Sequence, residues 1–226
     1  MAKKSYRRET KKKVGEILFM TNEDTAMDML RQIPDKQLTG HLFSNFYHKD
    51  ELIKFRSVTA MGALGARVGK RNMEQARILL RRIMWNLNDE SGGIGWGSPE
   101  AMGEILCQNP KLALEFKSIL FSYLEPGGNF IEHEMLQRGV LWGVGTYIES
   151  NPEDMNSETQ ELLSQHLLSQ DTVKRVYALR ALFNTKHFDN HPIPKNIMAD
   201  NQEVNIFKNW HFKITSASAI AKVRYQ

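Results

Sequence analysis

The chain has 226 residues, of which 41% are hydrophobic and 25% are charged, so its composition is that of an ordinary globular protein. This composition excludes collagen-like, disordered and disulfide-scaffold proteins. The length suits one large domain or two small ones, with enough chain to bury a continuous core. Cys107, the single cysteine, can form no intrachain disulfide, which favours a cytoplasmic location.

The positive charge is concentrated at the start of the chain. Residues 1–13 hold seven basic residues and one acidic residue, whereas the rest holds 23 basic and 25 acidic residues. We therefore expect a basic disordered tail over 1–13, which either aids solubility or weakly anchors RNA, DNA or anionic lipid. Nucleic acid would bind only weakly, through the Lys3–Lys13 tail, because the remaining chain lacks the excess of basic residues that a phosphate-binding face needs.

Helix signals follow in chain order. Thr21 to Asp24 forms a capping box before a first apolar stripe, Pro34 ends that helix and opens a second, and Asp50 caps a third. Small residues in the third helix would let another helix approach closely. Further helices are predicted near residues 72–88, 98–108, 110–124, 130–149, 158–169 and 171–185. No apolar run approaches the ~20 residues of a membrane span, so we expect no membrane-spanning segment.

The residue pattern of the chain changes after residue 185. Residues 186–202 show neither helical nor strand periodicity and are interpreted as a connector. Residues 203–207 and 210–215 then alternate apolar and polar residues around Lys208-Asn209, which predicts a small β-hairpin, and Ser216 would cap a last short helix. An isolated hairpin is marginal in water, so we expect this one to pack on the end of the helical body as a cap over 186–226.

An internal repeat is the strongest pattern in the sequence. Three segments share a basic residue followed by small and apolar residues, and they begin near Phe55, Gln137 and Lys174. If Arg56, Ser98, Arg138 and Arg175 are taken as equivalent points, successive spacings are 42, 40 and 37 residues. These spacings are close to the ~40–47 residues of helix-pair solenoids.

The segment from Asp50 to Gly65 resembles the second helix of HEAT repeats, which opens with an acid, carries an arginine and continues through small residues to Leu-Gly. The blocks 85–100 and 128–134 also resemble those of an uncharacterised bacterial group of HEAT-like proteins. The resemblance implies an all-α fold: a right-handed α-solenoid of about four HEAT-like helix pairs over 14–185, with a small C-terminal β-hairpin and short helix as a cap. It implies no particular activity.

Polar residues cluster in two of the predicted second helices. Glu100 and Glu104 are four residues apart and share a helix face, and 132–134 begins the equivalent helix of the next repeat. Stacked second helices line the concave surface of a solenoid, so these residues would form a polar groove. Such a groove suits a partner peptide with basic or amide groups. The predicted groove residues are Trp96, Glu100, Glu104, Glu132, His133, Arg138 and Trp142.

Motifs that could carry other chemistry are incomplete. The glycine-rich loop 91–97 fits a tight turn better than a phosphate site, because acidic residues flank it and no strand precedes it. His133 to Gln137 resembles a zinc motif with glutamine in place of the second histidine, so no metal is predicted. Cys107 is expected to be a buried thiol rather than a nucleophile. Trp85, Trp96 and Trp142 are expected either in the groove floor or, more commonly, in the core.

These patterns predict a non-catalytic protein-interaction or scaffold module without a cofactor, and leave its oligomeric state open. The alternative is a HEAT-like enzyme or ligand carrier, since HEAT-like solenoids include DNA alkylpurine glycosylases and chromophore lyases. A glycosylase needs a catalytic acid and a cationic, aromatic concave face. The sequence supplies the acids and tryptophans but not the basic face.

Overall fold

The computed structural model describes residues 2–88, 94–183 and 193–224, which are mostly helical and include one small antiparallel sheet. This composition of elements agrees with the predicted all-α class. The α-helices are α1 (Ala2–Leu18), α2 (Glu23–Arg31), α3 (Asp35–Asn45), α4 (Glu51–Arg71), α5 (Met73–Leu87), α6 (Ser98–Gln108), α7 (Pro110–Ser122), α8 (Glu134–Ser150), α9 (Ser157–Gln165), α10 (Thr172–Phe183), α11 (Lys195–Ala199) and α12 (Ala217–Arg224). The strands are β1 (Val204–Lys208) and β2 (His211–Thr215), and short 3-10 turns span Pro152–Asp154 and His166–Leu168.

Asparagine and aspartate side chains begin many of these helices. The Asn109 side chain, for example, accepts a hydrogen bond from the Leu112 N–H at 3.2 Å, which satisfies a free donor in the first turn of α7. Asp50 does the same for α4, as predicted. The cap of α2 is Asn22 rather than the predicted Thr21. The bounds of α6 match the predicted 98–108, and the other predicted helices are shifted by a few residues at their ends.

Alternate helices form a continuous central layer. Helix α4 packs on α6, α6 on α8, and α8 on α10, while α3, α5, α7 and α9 pack against members of this layer. Glycines allow the close contacts: a Cβ on Gly103 would lie 2.3 Å from the Gly143 carbonyl oxygen, and a Cβ on Gly62 would lie 2.8 Å from the Glu104 Cβ. The predicted close approach of a helix to the small residues of α4 is therefore present.

The hairpin does not simply cap one end of the helical body. Phe207 of β1 stacks on Phe55 of α4, with ring centroids 5.3 Å apart. Lys208 pairs with Glu149 of α8 at 2.8 Å, and β1 also contacts α10. The hairpin therefore crosses from the N-terminal to the C-terminal helices. Aromatic residues of both strands, Phe207 and Phe212, pack on Phe55, so the hairpin lies against α4 and not at one end of the helical body as predicted.

The turn of the hairpin also differs from the predicted one. It is formed by Asn209 and Trp210 rather than Lys208 and Asn209, and both turn residues have positive φ, at 51° and 67°. Asparagine tolerates this conformation well, whereas tryptophan rarely adopts it. The Trp210 side chain is 1% exposed, so its burial offsets the unfavourable backbone conformation.

The predicted disordered tail is helical in the structure. Helix α1 begins at Ala2 and continues to Leu18. Lysine and arginine are good helix formers, and the end of α1 is anchored by buried Val14, Ile17 and Leu18. Thr10 donates a hydrogen bond to the side chain of Gln37 on α3 at 3.3 Å. The basic segment therefore extends from a packed helix.

Part of the predicted connector lies outside the described residues, which resume at 193. The remainder contains the short helix α11. Arg175 of α10 donates to Asp200, just after α11, at 2.8 Å, so this segment is tied to the helical body. Ser216 accepts a hydrogen bond from the Ala219 N–H at 3.1 Å, which confirms the predicted cap of the last helix.

Candidate functional site

The predicted groove residues occupy three different environments. Trp96, Glu132 and His133 lie at the surface, Glu100 and Arg138 line a small polar pocket, and Glu104 and Trp142 are buried. They therefore do not form one open groove.

The surface group is held by a ring contact. Trp96 is half-buried in the turn before α6, and its ring is nearly perpendicular to the His133 ring, with centroids 5.4 Å apart. His133 immediately precedes α8, so the contact joins the starts of two neighbouring helices of the central layer. Glu132 and His133 are exposed and available to a partner.

Glu104 is buried inside the protein rather than presented to a partner. Its carboxylate accepts hydrogen bonds from the Thr59 hydroxyl at 3.0 Å and from the Gln108 amide at 3.2 Å. Removal from water raises the pKa of Glu104 above its usual value. Trp142 is similarly buried and packs on Phe55 with ring centroids 5.2 Å apart. These two side chains support the helix layer.

The polar pocket lies where all four helices of the central layer meet the chain at the start of β1, and its volume is about 220 Å³. Each helix contributes a polar group, and apolar side chains complete the walls. The lining residues are Glu51, Lys54, Phe55, Glu100, Met135, Arg138, Gly139, Val173, Tyr177, Glu203, Val204 and Asn205.

Glu100 is the most unusual group in this pocket. It is only 3% exposed, and its Oε1 lies 3.1 Å from the Lys54 ammonium. Its Oε2 accepts no hydrogen bond from any group that the structure describes. A Cβ on Gly139 would lie 2.6 Å from that oxygen, so only glycine leaves the carboxylate its room. A buried carboxylate oxygen without a donor costs free energy unless water or a ligand satisfies it.

The charges lining the polar pocket favour a positively charged ligand. Glu51, Glu100 and Glu203 supply three carboxylates, against Lys54 and Arg138. The guanidinium of Arg138 is already engaged, since its Nε donates to Asp171 at 2.6 Å. Burial, together with the negative charges of Glu51 and Glu100, raises the pKa of Tyr177, so its hydroxyl stays protonated and can donate a hydrogen bond.

The geometry gives less support to a cysteine nucleophile, a metal site or a membrane span. Burial and the nearby Glu104 carboxylate raise the pKa of the Cys107 thiol to about 12, which leaves it protonated at neutral pH and a poor nucleophile. The described residues contain no cluster of three or more His, Cys, Asp or Glu side chains suited to a metal ion. None of the helices in the described ranges combines the length and apolar character needed to cross a membrane.

The sequence pattern identified part of this pocket. The repeat pattern relates Glu100 and Arg138, because they lie on equivalent helices of neighbouring repeats. Lys54 and Tyr177 were missed, although both also lie on second helices, and their positions near the starts of those segments were the available signal. Glu203 lies outside the repeats, so no repeat pattern could identify it.

Comparisons with known proteins show similarity without an assigned activity. No protein-family model matches the chain. An uncharacterized protein of Archaeoglobus fulgidus is 32% identical over 108 residues, which are 48% of this chain and 52% of that protein. The chain therefore matches about half the length of this curated relative. An engineered protein of known crystal structure is similar with a TM-score of 0.42 and 14% identity, over 77% of this chain and 78% of its own.

Proposed function

We propose that the chain is a HEAT-like, right-handed α-solenoid that acts as a non-catalytic interaction module in the cytoplasm. It binds a protein partner by accepting a basic or amide side chain of that partner in the polar pocket. The observation that carries this proposal is the buried, unsatisfied Oε2 of Glu100 in a pocket whose lining is net negative.

The solenoid part of the proposal rests on order along the chain. The four helices of the central layer pack in sequence order, and each alternates with a helix packed against the layer. The equivalent points Arg56, Ser98, Arg138 and Arg175 are 42, 40 and 37 residues apart. Consecutive packing at a fixed period is the arrangement that defines helix-pair repeats.

The interaction part rests on chemistry. A lysine ammonium, arginine guanidinium or glutamine amide supplies the donor that Glu100 lacks, and a volume of about 220 Å³ accommodates the end of one side chain. Exposed Glu51 and Glu203 at the rim attract a cation before it enters. Nearby Glu132 and His133 offer further polar contacts outside the pocket.

A ligand carrier is the second candidate. The pocket, whose lining includes Val204 and Asn205 of the hairpin, has a volume of about 220 Å³, which also suits a small free amine. A carrier would bind such an amine without any peptide around it, so the two candidates differ in how much affinity the peptide backbone adds.

A peptide array tests the proposal. Peptides of one scaffold carry lysine, arginine, glutamine, norleucine or glutamate at a central position, and free butylamine is titrated beside them. We expect the lysine, arginine or glutamine peptides to bind the native protein and to lose at least tenfold in affinity with Glu100→Gln. Glu104→Gln removes another buried carboxylate of the same helix and should leave binding unchanged. Preference for glutamate peptides, or equal effects of the two variants, would refute the pocket assignment; butylamine binding as tight as the best peptide would support the carrier.

A further inference from the structure

A strongly basic surface lies on the N-terminal helices, away from the residues of the polar pocket. Two clefts adjoin there and share Arg71: one of about 580 Å³ between α2 and α4 and one of about 490 Å³ between α3 and α5. We call them the basic clefts. Their lining includes one acidic residue, Asp35, against six basic residues: Arg31, Lys36, Arg67, Lys70, Arg71 and Arg82.

Several of these cations lack a carboxylate partner. Asp35 is paired with both Arg67 and Arg71. Lys36, Lys70 and Arg82 form no ion pair with any residue that the structure describes, and all three are exposed. Unpaired, exposed cations in a concave surface attract polyanions.

Two other arginines of α5 provide a contrast within the same helix. Arg77 pairs with Glu115 at 2.7 Å and also with Glu74. Arg81 pairs with Glu74 as well. The charges of Arg77 and Arg81 are therefore largely neutralised locally, whereas Arg82 forms no ion pair with any described residue.

An exposed tryptophan lies beside these cations. Trp85 is 73% exposed, contrary to its expected place in the core or groove floor. It follows Ile78, Arg81 and Arg82 at spacings of seven, four and three residues, so it lies on the exposed side of α5 between Arg81 and Arg82. The Arg82 guanidinium lies over the Phe43 ring, 4.2 Å from its centroid, which holds this cation in place.

The distribution of charge along the whole chain supports this surface. Residues 1–88 contain 18 basic and nine acidic residues, whereas residues 89–226 contain 12 basic and 17 acidic residues. The small overall charge therefore conceals a basic N-terminal part. Helix α1 exposes Arg8, Lys11, Lys12 and Lys13, and its Thr10 contacts α3, one wall of the second cleft.

We infer that the basic clefts bind single-stranded nucleic acid, with phosphates against Lys36, Lys70 and Arg82 and a base stacked on Trp85. Arginine and lysine side chains neutralise the backbone, and an exposed indole offers a flat surface to an unpaired base of any sequence. A duplex keeps its bases stacked inside, so Trp85 favours a single strand over a duplex. This inference uses none of the polar-pocket residues and stands independently of the proposed function.

Fluorescence anisotropy with a labelled 20-nucleotide oligothymidine tests the inference in a salt series. The triple variant Lys36→Ala, Lys70→Ala, Arg82→Ala should bind at least tenfold more weakly. The slope of log binding constant against log salt concentration should become shallower by about two, because each lost phosphate contact contributes about 0.7 to that slope. The control triple variant Arg77→Ala, Lys117→Ala, Lys208→Ala removes the same charge from paired sites and should bind within about threefold of the native protein. Circular dichroism melting verifies that both fold.

Trp85 variants separate stacking from charge. Trp85→Ala should weaken oligothymidine binding about tenfold, and Trp85→Phe should restore most of it. Equal losses in the two triple variants, or no binding at about 50 mM salt, would overturn the inference. A preference for a duplex that is insensitive to Trp85→Ala, or binding to phosphatidylserine vesicles in place of oligothymidine, would overturn it in favour of another polyanion.

Discussion

Trp210 donates its indole N–H to the carbonyl oxygen of Met20 at 2.8 Å, across 190 positions of sequence. The guanidinium of Arg56 strengthens the same junction, since it donates to the Trp210 carbonyl at 3.0 Å and to the Leu18 carbonyl at 2.8 Å. The C-terminal hairpin is thereby fixed to the end of α1 and to α4. Because β1 also provides a wall of the polar pocket, this junction helps to position that wall.

We expect Trp210→Ala to destabilise the protein by about 3–5 kcal/mol, since it removes a large buried side chain and leaves a cavity. Trp210→Phe should cost less, about 1–3 kcal/mol, from the lost hydrogen bond and the smaller ring. Chemical denaturation followed by circular dichroism measures both. If Trp210→Ala costs less than about 1 kcal/mol, the hairpin is not integral to the fold.

Gly103 should not tolerate a side chain. A Cβ there would lie 2.3 Å from the Gly143 carbonyl oxygen, and neither backbone can shift easily. We expect Gly103→Ala to cost about 3 kcal/mol or more. Gly40→Ala is the matched control, because a Cβ at that exposed helical position meets nothing within 4 Å and should stabilise by up to about 1 kcal/mol. Melting temperatures moving in the same direction would contradict the close packing of α6 and α8.

The buried carboxyl of Glu104 should make stability depend on pH. Its pKa is raised in the folded state by removal from water, so folding favours the protonated form. The contribution is fully present below the ordinary pKa of 4.5 and is lost as pH rises through the higher folded-state value. The side chain in Glu104→Gln stays neutral. We therefore expect the melting temperature of this variant, relative to that of the native protein, to rise between pH 4 and pH 8. A constant difference over that range would show that Glu104 ionises freely.

Helix positions follow from local signals, whereas the hairpin's position does not. Ser98-Pro99 and Asn109-Pro110 mark both ends of α6, and a proline in a first turn has the same meaning wherever it occurs. The hairpin itself was recognisable from alternating residues. Its place across the helices depends on Trp210 and Met20, which are too far apart in sequence for any local pattern to relate them.

The sequence also predicts only part of the candidate site. Repeat periodicity related Glu100 and Arg138, which do line the polar pocket together. It could not show that Glu104 and Trp142 turn inward, because the hairpin and neighbouring helices determine which face of a second helix remains accessible. The predicted disorder of residues 1–13 failed for a similar reason: charge suggested a free tail, whereas buried residues farther along α1 hold it in a packed helix.

Gly139 provides an independent test of the pocket geometry. A side chain there would collide with the Glu100 carboxylate at 2.6 Å, whereas at Gly145 of the same helix the nearest atom is the Ala181 Cβ at 3.4 Å. We expect Gly139→Ala to destabilise by about 1–3 kcal/mol and to weaken binding of a lysine-bearing peptide. Gly145→Ala should affect both much less. Calorimetric titration and melting of the two variants provide the comparison.

The most direct test of the proposed interaction is a double-mutant cycle between Glu100 and the central residue of the best-binding peptide. Calorimetry gives the affinities of native protein and Glu100→Gln for that peptide and for its norleucine counterpart. A direct contact predicts a coupling free energy of about 1.5 kcal/mol or more, because each single change already removes the same ion pair. Additivity within about 0.5 kcal/mol would show that the partner does not reach Glu100.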